Sequence, residues 1–259
     1  MPKFAANLSM MFTEWPFLER FQAASDAGFG AVEYLFPYEH PAAEIAAQLK
    51  KHGLQQALFN VDAGDWAGGE RGLASLAGRQ QDFQDSIEQA LAYAQVLACP
   101  KIHVMAGICE ATAQAQSLYV QNLRYAADKA AAQNVEVLIE PINARDMPGY
   151  FLGSVEQAID LLDRIDRPNA RLQFDYYHAQ ITSGDVTVLM RDSIDRIGHI
   201  QIASVPERNE PDTGELNYPY VLAALDAAGY DGWVGCEYRP AGETGAGLGW
   251  LASYRGEGQ

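Results

Sequence analysis

The sequence predicts a closed (β/α)₈ barrel, an α/β fold in which eight parallel strands form a cylinder inside a ring of helices. Eight short apolar runs alternate with longer segments of helical periodicity along the 259 residues, a normal length for one such barrel. Several short runs are continuously apolar, which indicates parallel strands buried on both faces. A doubly wound open sheet is the competing architecture, but no Gly-x-Gly-x-x-Gly motif follows the first run. No linker or low-complexity segment divides the chain, so we predict one domain over residues 1–259.

The eight predicted strands are short, mostly apolar, and bounded by glycine, proline or polar residues. Because a helical segment separates each strand from the next, crossovers join the strands and make them parallel. In chain order the strands are residues 4–10, 31–36, 56–61, 101–105, 135–140, 170–175, 197–202 and 233–238.

The predicted helices share an apolar face at helical spacing and recognisable end signals. In the first helix, Phe17, Phe21 and Ala24 lie on one face, Pro16 suits the first turn and Gly28 suits the end. A serine followed three residues later by glutamine forms a capping box at the start of the helix after strand five. In chain order the helices are residues 16–27, 41–52, 78–98, 112–133, 154–165, 186–194 and 218–228.

The chain is strongly acidic, with a net charge of −16 and a pI near 4.6. This charge repels phosphate backbones and anionic lipid surfaces, so we expect neither nucleic acid nor a membrane as a partner. Cys99, Cys109 and Cys236 form no CxxC motif and are expected to be reduced thiols. Without an N-terminal signal pattern or an apolar run of about 18 residues, the expected location is cytoplasmic. The sequence is also compatible with a homo-oligomer.

Functional groups of such barrels lie at the carboxyl ends of the strands. Those ends carry Asn7, Glu33, Asn60, His103, Glu140, Asp175, Gln201 and Glu237. The last four come from strands five to eight in order, in apolar surroundings where an unpaired carboxylate is costly to bury. Their oxygen donors suit a hard divalent cation, Mg²⁺ or Mn²⁺, so we predict that these four residues bind a metal. A network of salt bridges and hydrogen bonds closing the barrel top is the alternative.

Three further residues near the strand ends are predicted to contact a substrate. His178 follows Asp175 by three positions and offers a neutral donor, the alternative being a surface histidine that caps a helix. Asn60 and His103 end strands three and four, although His103 equally suits a hydrogen-bonded core position. We interpret His199 as structural.

A carboxylate substrate in so acidic a protein needs a local cation. Arg208 follows Gln201 by seven positions, and Arg71 lies in the loop after strand three. Either would clamp a carboxylate through two parallel hydrogen bonds. Arg239, just past Glu237, is a third candidate. The alternative for each arginine is an exposed loop position.

Around these residues the sequence resembles the hydroxypyruvate isomerase family, within the xylose-isomerase-like TIM barrel superfamily. The matching segments extend over nearly the whole chain: NLSMMFTEWPFLERF from Asn7, AVEYLFPY from Ala31, GDWAGGERG from Gly64, LIEPIN from Leu138, FDYYH from Phe174, HIQIASVPERNEPDTGELNY from His199 and GCEYRPAGETGAGLGWL from Gly235. The resemblance implies Glu140 and Glu237 as the catalytic acid/base pair. It also implies Glu140, Asp175, Gln201 and Glu237 as the metal ligands.

The activity implied by the resemblance is an aldose–ketose type isomerisation of a small hydroxy-carbonyl acid. The favoured reaction interconverts hydroxypyruvate and 2-hydroxy-3-oxopropanoate (tartronate semialdehyde). One glutamate removes a proton from carbon, the metal stabilises the enediolate, and the other glutamate returns the proton. A hydride shift would use the same residues. The alternatives on the same barrel are a 2-oxo-tetronate isomerase and a ketose or inosose epimerase.

Two other classes of protein are weighed against an isomerase. A DNA-repair endonuclease would need a histidine-rich cluster for several zinc ions and a basic groove, whereas this chain has five histidines and a net charge of −16. A non-catalytic binding protein would have no need of both glutamates. The residues therefore favour an enzyme whose partner is a small molecule.

Overall fold

A computed structural model describes residues 1–254, in which eight parallel strands close into a barrel in the order β1 to β8. The predicted (β/α)₈ fold is confirmed. The strands are β1 (Lys3–Asn7), β2 (Ala31–Tyr34), β3 (Gln55–Asn60), β4 (Lys101–His103), β5 (Glu136–Ile139), β6 (Ala170–Asp175), β7 (Ile197–Ile202) and β8 (Trp233–Cys236). The single domain over 1–259 stays a prediction, and its residues 255–259 lie outside the described residues.

The helices follow the strands in alternation and bury one face each. They are α1 (Arg20–Asp26), α2 (Ala42–His52), α3 (Gln80–Leu97), α4 (Ala113–Ala131), α5 (Val155–Ile165), α6 (Tyr176–Thr182), α7 (Val186–Ser193) and α8 (Tyr218–Ala227). The predicted cap of α5 is present, since the Ser154 hydroxyl accepts a hydrogen bond from the Gln157 N–H at 3.2 Å. Among residues 1–254, no helix combines the length and hydropathy that a membrane span requires.

Helix α6 is absent from the predicted elements and begins directly after β6. Asp175 caps it, because its Oδ1 accepts a hydrogen bond from the Tyr177 N–H at 2.8 Å. The strand-like aromatic run that continues from β6 hides this helix start in the sequence. As a result, His178 is buried in the first turn of α6 rather than exposed on the surface.

Strand register brings the polar strand ends to one level of the barrel. Asn60 on β3 pairs with His103 on β4, and Asp175 on β6 pairs with Gln201 on β7. Strand β4 ends at His103, two residues before its predicted end, because the chain then turns to bridge Ala106 to the loop after β3. The level of these pairs is where the candidate site lies.

Candidate active site

A cavity of about 260 Å³ lies at the carboxyl ends of the strands. Seven of the nine residues predicted for the site contribute to its wall. They are Asn60, Arg71, His103, Glu140, His178, Arg208 and Glu237. The predicted third arginine, Arg239, also lines the cavity. The fold thus brings together side chains that are up to 179 positions apart in sequence, from Asn60 to Arg239.

A tight cluster of ionisable side chains lies at this cavity. Glu140, Asp175, His178 and Glu237 each present one ligand atom, and these atoms lie within 4.8 Å of one another. All four side chains are buried. The strands β5, β6 and β8 hold the three carboxylates, since Glu140 and Glu237 directly follow their strands and Asp175 ends its own. Three carboxylates so close together repel one another unless a positive charge lies between them.

Burial and mutual repulsion raise the pKa values of these carboxyl groups. The pKa of Glu140 lies well above its usual range because of burial and the nearby Glu237 and Asp175. Burial raises the pKa of Glu237 to about 8, although Arg208 opposes the shift. Burial likewise raises the pKa of Asp175 to about 6. The ionised forms of these groups are therefore short of compensating positive charge.

The donor set fits a divalent cation. Oε1 of Glu140 and Oδ2 of Asp175 are buried and have no hydrogen-bond partner within residues 1–254. Nη2 of Arg208 forms an ion pair with Oδ2 of Asp175 at 3.8 Å, beyond hydrogen-bond distance. Because buried polar atoms are nearly always hydrogen-bonded, these two carboxylate oxygens can take a further positive partner. Oxygen donors of this type are those that Mg²⁺ and Mn²⁺ prefer.

His178 is oriented as a hydrogen-bond donor rather than as a metal ligand. Its Nδ1 faces the backbone N–H of Asn143 at 3.3 Å and the Asn143 Nδ2 at 2.6 Å. Because Nδ1 must accept these bonds, the ring proton lies on Nε2, which is 3.6 Å from Oδ2 of Asp175. Burial keeps the pKa of His178 well below its usual range, so the ring is neutral. A neutral ring with Nε2–H fits the predicted role of contacting a substrate oxygen.

His103 presents the opposite polarity to the cavity. Its Nδ1 lies 3.2 Å from Oδ1 of Asn60, so Nδ1 carries the proton and donates it. Its Nε2 is buried, has no hydrogen-bond partner within the described residues, and lies 3.7 Å from Oε2 of Glu140. Burial lowers the pKa of His103 to about 3, with His199 adding to the shift. The free lone pair on Nε2 is available to a substrate hydroxyl.

Arg208 is bound to the carboxylates of the site. Its Nη2 donates to Oε2 of Glu237 at 2.6 Å, and its Nη1 donates to Oδ2 of Asp146 at 3.3 Å. Burial alone would lower the pKa of Arg208, but the surrounding carboxylates raise it. The backbone φ of 59° is in the left-handed region, which costs energy for an arginine and indicates that the position is held by its contacts. Arg208 thus supplies positive charge to Glu237.

Arg71 lies at the rim of the cavity, stacked on Trp66 with Cζ 4.0 Å from the ring centroid. Its Nη1 donates to the carbonyl oxygens of Trp66 and Glu70. The next residue, Gly72, has a φ of 120°, and a Cβ there would lie within 2.5 Å of the Met105 carbonyl carbon. Only glycine fits this close approach, which fixes the loop that carries Arg71 over the cavity.

Gln201 lies beside the cluster within a hydrogen-bonded group of buried side chains. Its Nε2 donates to Oε1 of Glu33 at 2.8 Å, and its Oε1 accepts from Nε2 of Gln173 at 2.6 Å. The predicted structural residue His199 also contacts Glu33, with 2.6 Å between Nε2 and Oε2. The role of Gln201 as a metal ligand stays a prediction.

Three residues that orient the site are absent from the predicted set. Asn143 fixes the ring of His178, Asp146 pairs with Arg208, and Gln173 hydrogen-bonds Gln201. A sequence signal exists for Gln173, which lies two positions before Asp175 and so shares its face of β6. Asn143 and Asp146 lie in the loop after β5, whose path the sequence does not reveal.

The metal-free protein is expected to lose stability as the pH rises from about 5 to about 8. In the folded state the pKa values of Asp175 and Glu237 are about 6 and about 8, against ordinary values of 3.8 and 4.5. The folded protein therefore holds protons that the unfolded chain releases. Their contribution to stability is complete below the ordinary pKa values and is lost as the pH passes through the raised ones.

Melting temperatures of EDTA-treated protein between pH 5 and 8 test this expectation. Added Mg²⁺ should raise the melting temperature more at pH 8 than at pH 5, because the metal binds ionised carboxylates. Glu237→Gln provides the control, since it removes one of the three carboxyl groups whose pKa is raised and should flatten the profile. A melting temperature that rises steadily with pH in the metal-free protein would contradict the assignment.

Comparison with known proteins gives a family and a class of enzyme. The family model described as xylose isomerase-like TIM barrel matches residues 21–254. The chain is 57% identical over 259 residues to the 2-oxo-tetronate isomerase of Cupriavidus necator, covering 99% of this chain and 100% of that protein. It is 43% identical over 258 residues to the hydroxypyruvate isomerase of Escherichia coli, covering 98% of this chain and 100% of that protein.

A solved structure from Brucella melitensis, described as an AP endonuclease of family 2, has a TM-score of 0.96 and 52% sequence identity. The match covers 98% of this chain and 100% of that one. The curated relatives, which the chain matches over nearly their full lengths, are named as isomerases and not as endonucleases. The chain therefore belongs to the xylose isomerase-like TIM barrel family, within it to the hydroxypyruvate isomerase family, and it is an isomerase.

Proposed function

We propose that this isomerase moves the carbonyl group of a short 2-oxo acid from carbon 2 to carbon 3, exchanging it with the hydroxyl group there. The observation that carries the proposal is the buried cluster of Glu140, Asp175 and Glu237 at a cavity of about 260 Å³. Such a cavity suits a small polar substrate, and the carboxylates supply both proton transfer and metal ligands.

The favoured substrate is the four-carbon acid 2-oxo-tetronate. The relative with that substrate in its name is more similar to this chain than the hydroxypyruvate isomerase is. Hydroxypyruvate, the substrate favoured by the sequence resemblance, undergoes the same exchange and lacks only a hydroxymethyl group on carbon 3. It becomes the second candidate substrate, and a ketose or inosose is the third.

The proposed chemistry is balanced within the substrate itself. A base removes the proton on carbon 3, the resulting enediolate takes a proton at carbon 2, and the hydroxyl proton moves from the oxygen of carbon 3 to that of carbon 2. We assign the base and the acid to Glu140 and Glu237, whose carboxyl groups meet at the cavity. General acid–base catalysis of this type contributes about 10²–10⁴-fold in rate.

Glu140, Asp175 and Glu237, with Gln201 as a further oxygen donor, would hold Mg²⁺ or Mn²⁺. A bound ion of this kind supplies Lewis acidity to the carbonyl and hydroxyl oxygens of a substrate. His178 then donates from Nε2 and His103 accepts at Nε2, so the two histidines distinguish a substrate oxygen that accepts from one that donates. Asn60 supports this arrangement through its bond to His103.

We assign the substrate carboxylate to Arg71. Arg208 already has two of its nitrogens bonded to Glu237 and Asp146, whereas the hydrogen bonds of Arg71 in the described residues use only Nη1. Nε and Nη2 of Arg71 therefore offer the parallel pair of donors that a carboxylate takes. Arg239 lies on the same cavity wall and adds positive charge.

Arg71→Met is expected to raise KM for the oxo acid by about 10–100-fold with a smaller change in kcat. The substitution removes a charge-assisted hydrogen bond of about 1.5–3 kcal/mol while keeping the apolar contact with Trp66. Arg196→Met is the matched control, because Arg196 is outside the cavity, where it pairs with Asp163. Steady-state kinetics of both variants measure the difference. An unchanged KM in Arg71→Met would reassign the carboxylate.

The Brucella melitensis structure is described as an endonuclease, but the charges of this chain do not support that function. The net charge of −16 opposes a DNA backbone, and the described cluster holds one histidine among three carboxylates. A set of several zinc ions would need more nitrogen or sulfur donors.

A cytoplasmic location and a homo-oligomeric state are kept as predictions.

Proton NMR of the Mg²⁺-supplemented protein with hydroxypyruvate, both enantiomers of 2-oxo-tetronate and a ketose tests the proposal. We expect one four-carbon enantiomer to be converted with a kcat/KM above that of hydroxypyruvate. In D₂O the product should carry deuterium on carbon 2, whereas its complete absence would indicate a hydride shift. Conversion of the ketose with no conversion of any oxo acid would overturn the proposed substrate class.

A further inference from the structure

Glu33 is a buried carboxylate that the proposed chemistry does not use. It lies on β2, 1% exposed, in a barrel interior that is usually filled with bulky apolar side chains. Its Oε1 accepts hydrogen bonds from Nδ2 of Asn7 at 3.0 Å and Nε2 of Gln201 at 2.8 Å. Its Oε2 lies 2.6 Å from Nε2 of His199. A carboxylate with three side-chain partners is costly to bury and calls for a role.

Two chains of contacts lead from Glu33 to the two glutamates of the candidate site. Nδ2 of Asn7, which donates to Glu33, also lies within hydrogen-bond distance of Oε1 of Glu237 at 3.3 Å. Gln201 binds Gln173, whose amide is close enough to Glu140 to influence that carboxyl group. One carboxylate thus connects to both proposed proton-transfer groups through neutral amides.

Gly235 on β8 leaves the space that the Glu33 carboxylate occupies. A Cβ at position 235 would lie within 2.5 Å of the Glu33 carboxyl carbon, closer than any real contact. The backbone at Gly235 does not have a left-handed φ, so space rather than conformation explains the glycine. Strand β8 therefore carries a cradle for the Glu33 carboxylate two residues before Glu237.

We propose that Glu33 is a positioning residue that orients Gln201 and, through Asn7, Glu237 toward a divalent cation. A carboxylate only accepts hydrogen bonds, so it holds the NH₂ groups of both amides toward itself. The carbonyl oxygen of Gln201 is then directed away from Glu33, where it accepts the hydrogen bond from Gln173 and retains a second lone pair for an ion. The inference rests on the proposed metal site and names the group that organises it.

Glu33→Gln tests the role with almost no change in volume. One of the two oxygens becomes an NH₂ group. In either orientation this group faces hydrogen-bond donors, which are Asn7 and Gln201 on one side and His199 on the other. We expect the affinity for Mn²⁺ and the kcat to fall by about 10–100-fold, the loss typical of residues that orient metal ligands, with KM little changed. Isothermal titration of EDTA-stripped protein with Mn²⁺ measures the first effect without relying on activity.

A second variant displaces the Glu33 carboxylate without removing it. Gly235→Ala places a methyl group against Glu33, and it should weaken Mn²⁺ binding in the same direction as Glu33→Gln. Gly153→Ala is the matched control, because a Cβ there meets no atom within 4 Å and its φ is not left-handed. If neither site variant folds, Asn7→Ala with Asn122→Ala as its control takes their place, since both asparagines are buried and only Asn7 contacts Glu33.

The Mn²⁺ titration of wild-type protein distinguishes failure of the metal site from failure of the role of Glu33. Wild-type protein that binds no Mn²⁺ would overturn the metal site of the proposed function. Wild-type protein that binds Mn²⁺ tightly, together with folded Glu33→Gln and Gly235→Ala that bind it equally well and keep their kcat, would overturn the role of Glu33 alone. Lower melting temperature without loss of Mn²⁺ affinity would also overturn it, because that pattern marks a residue needed only for packing.

Discussion

Glu237→Gln and Glu140→Gln are each expected to lower kcat by at least about 100-fold. An amide neither takes nor returns a proton near neutral pH, and each substitution also removes one charged oxygen donor from the cluster. The buried position of both groups in a closed barrel means that solvent cannot easily replace them. Steady-state kinetics with the best substrate of the NMR panel provide the measurement.

Glu210→Gln is the matched control for these two variants. Its carboxylate is also buried, but it accepts hydrogen bonds from the Ala241 N–H and lies outside the described cluster. The control should retain most of the kcat. Circular dichroism and melting temperature establish that each variant is folded. A folded Glu140→Gln or Glu237→Gln with kcat within about tenfold of wild type would remove that residue from proton transfer.

Removal of the metal is expected to abolish turnover. EDTA-treated protein, freed of chelator and checked by elemental analysis, should be inactive and should recover on addition of Mg²⁺ or Mn²⁺. The reason is that the buried Oε1 of Glu140 and Oδ2 of Asp175 have no hydrogen-bond partner in the described residues and can therefore bind a cation. Protein incubated with EDTA that was saturated with Mg²⁺ beforehand is the control. Full activity in protein shown to be free of metal would contradict a catalytic role for the ion.

The alternation of short apolar runs with helical segments was enough to predict the barrel. The strand limits agree with the structure within three residues, and the agreement is best where a polar residue such as Asp175 ends the apolar run. The cluster at the barrel mouth is also predictable from the sequence, since the carboxyl ends of parallel strands meet on one face whichever paths the loops follow. Helix α6 was missed because β6 runs into Tyr176 and Tyr177 without a glycine or proline between them.

The connections among these residues required the structure. The sequence offers Arg208, Arg71 and Arg239 as candidates for binding a carboxylate, and only the structure reveals the contacts of Arg208 with Glu237 and Asp146. Glu33 was recognised as a polar strand end, but its bond to His199, 166 positions away, has no sequence signal. Loop paths and side-chain orientation decide such pairs, and neither follows from periodicity.

Anomalous diffraction from crystals of the protein grown with Mn²⁺ tests the account most directly. We expect one strong peak per chain, bounded by carboxylate oxygens of Glu140, Asp175 and Glu237, with the carbonyl oxygen of Gln201 turned toward it. A strong peak elsewhere on the chain, or no peak in crystals that contain Mn²⁺ at saturating concentration, would contradict it.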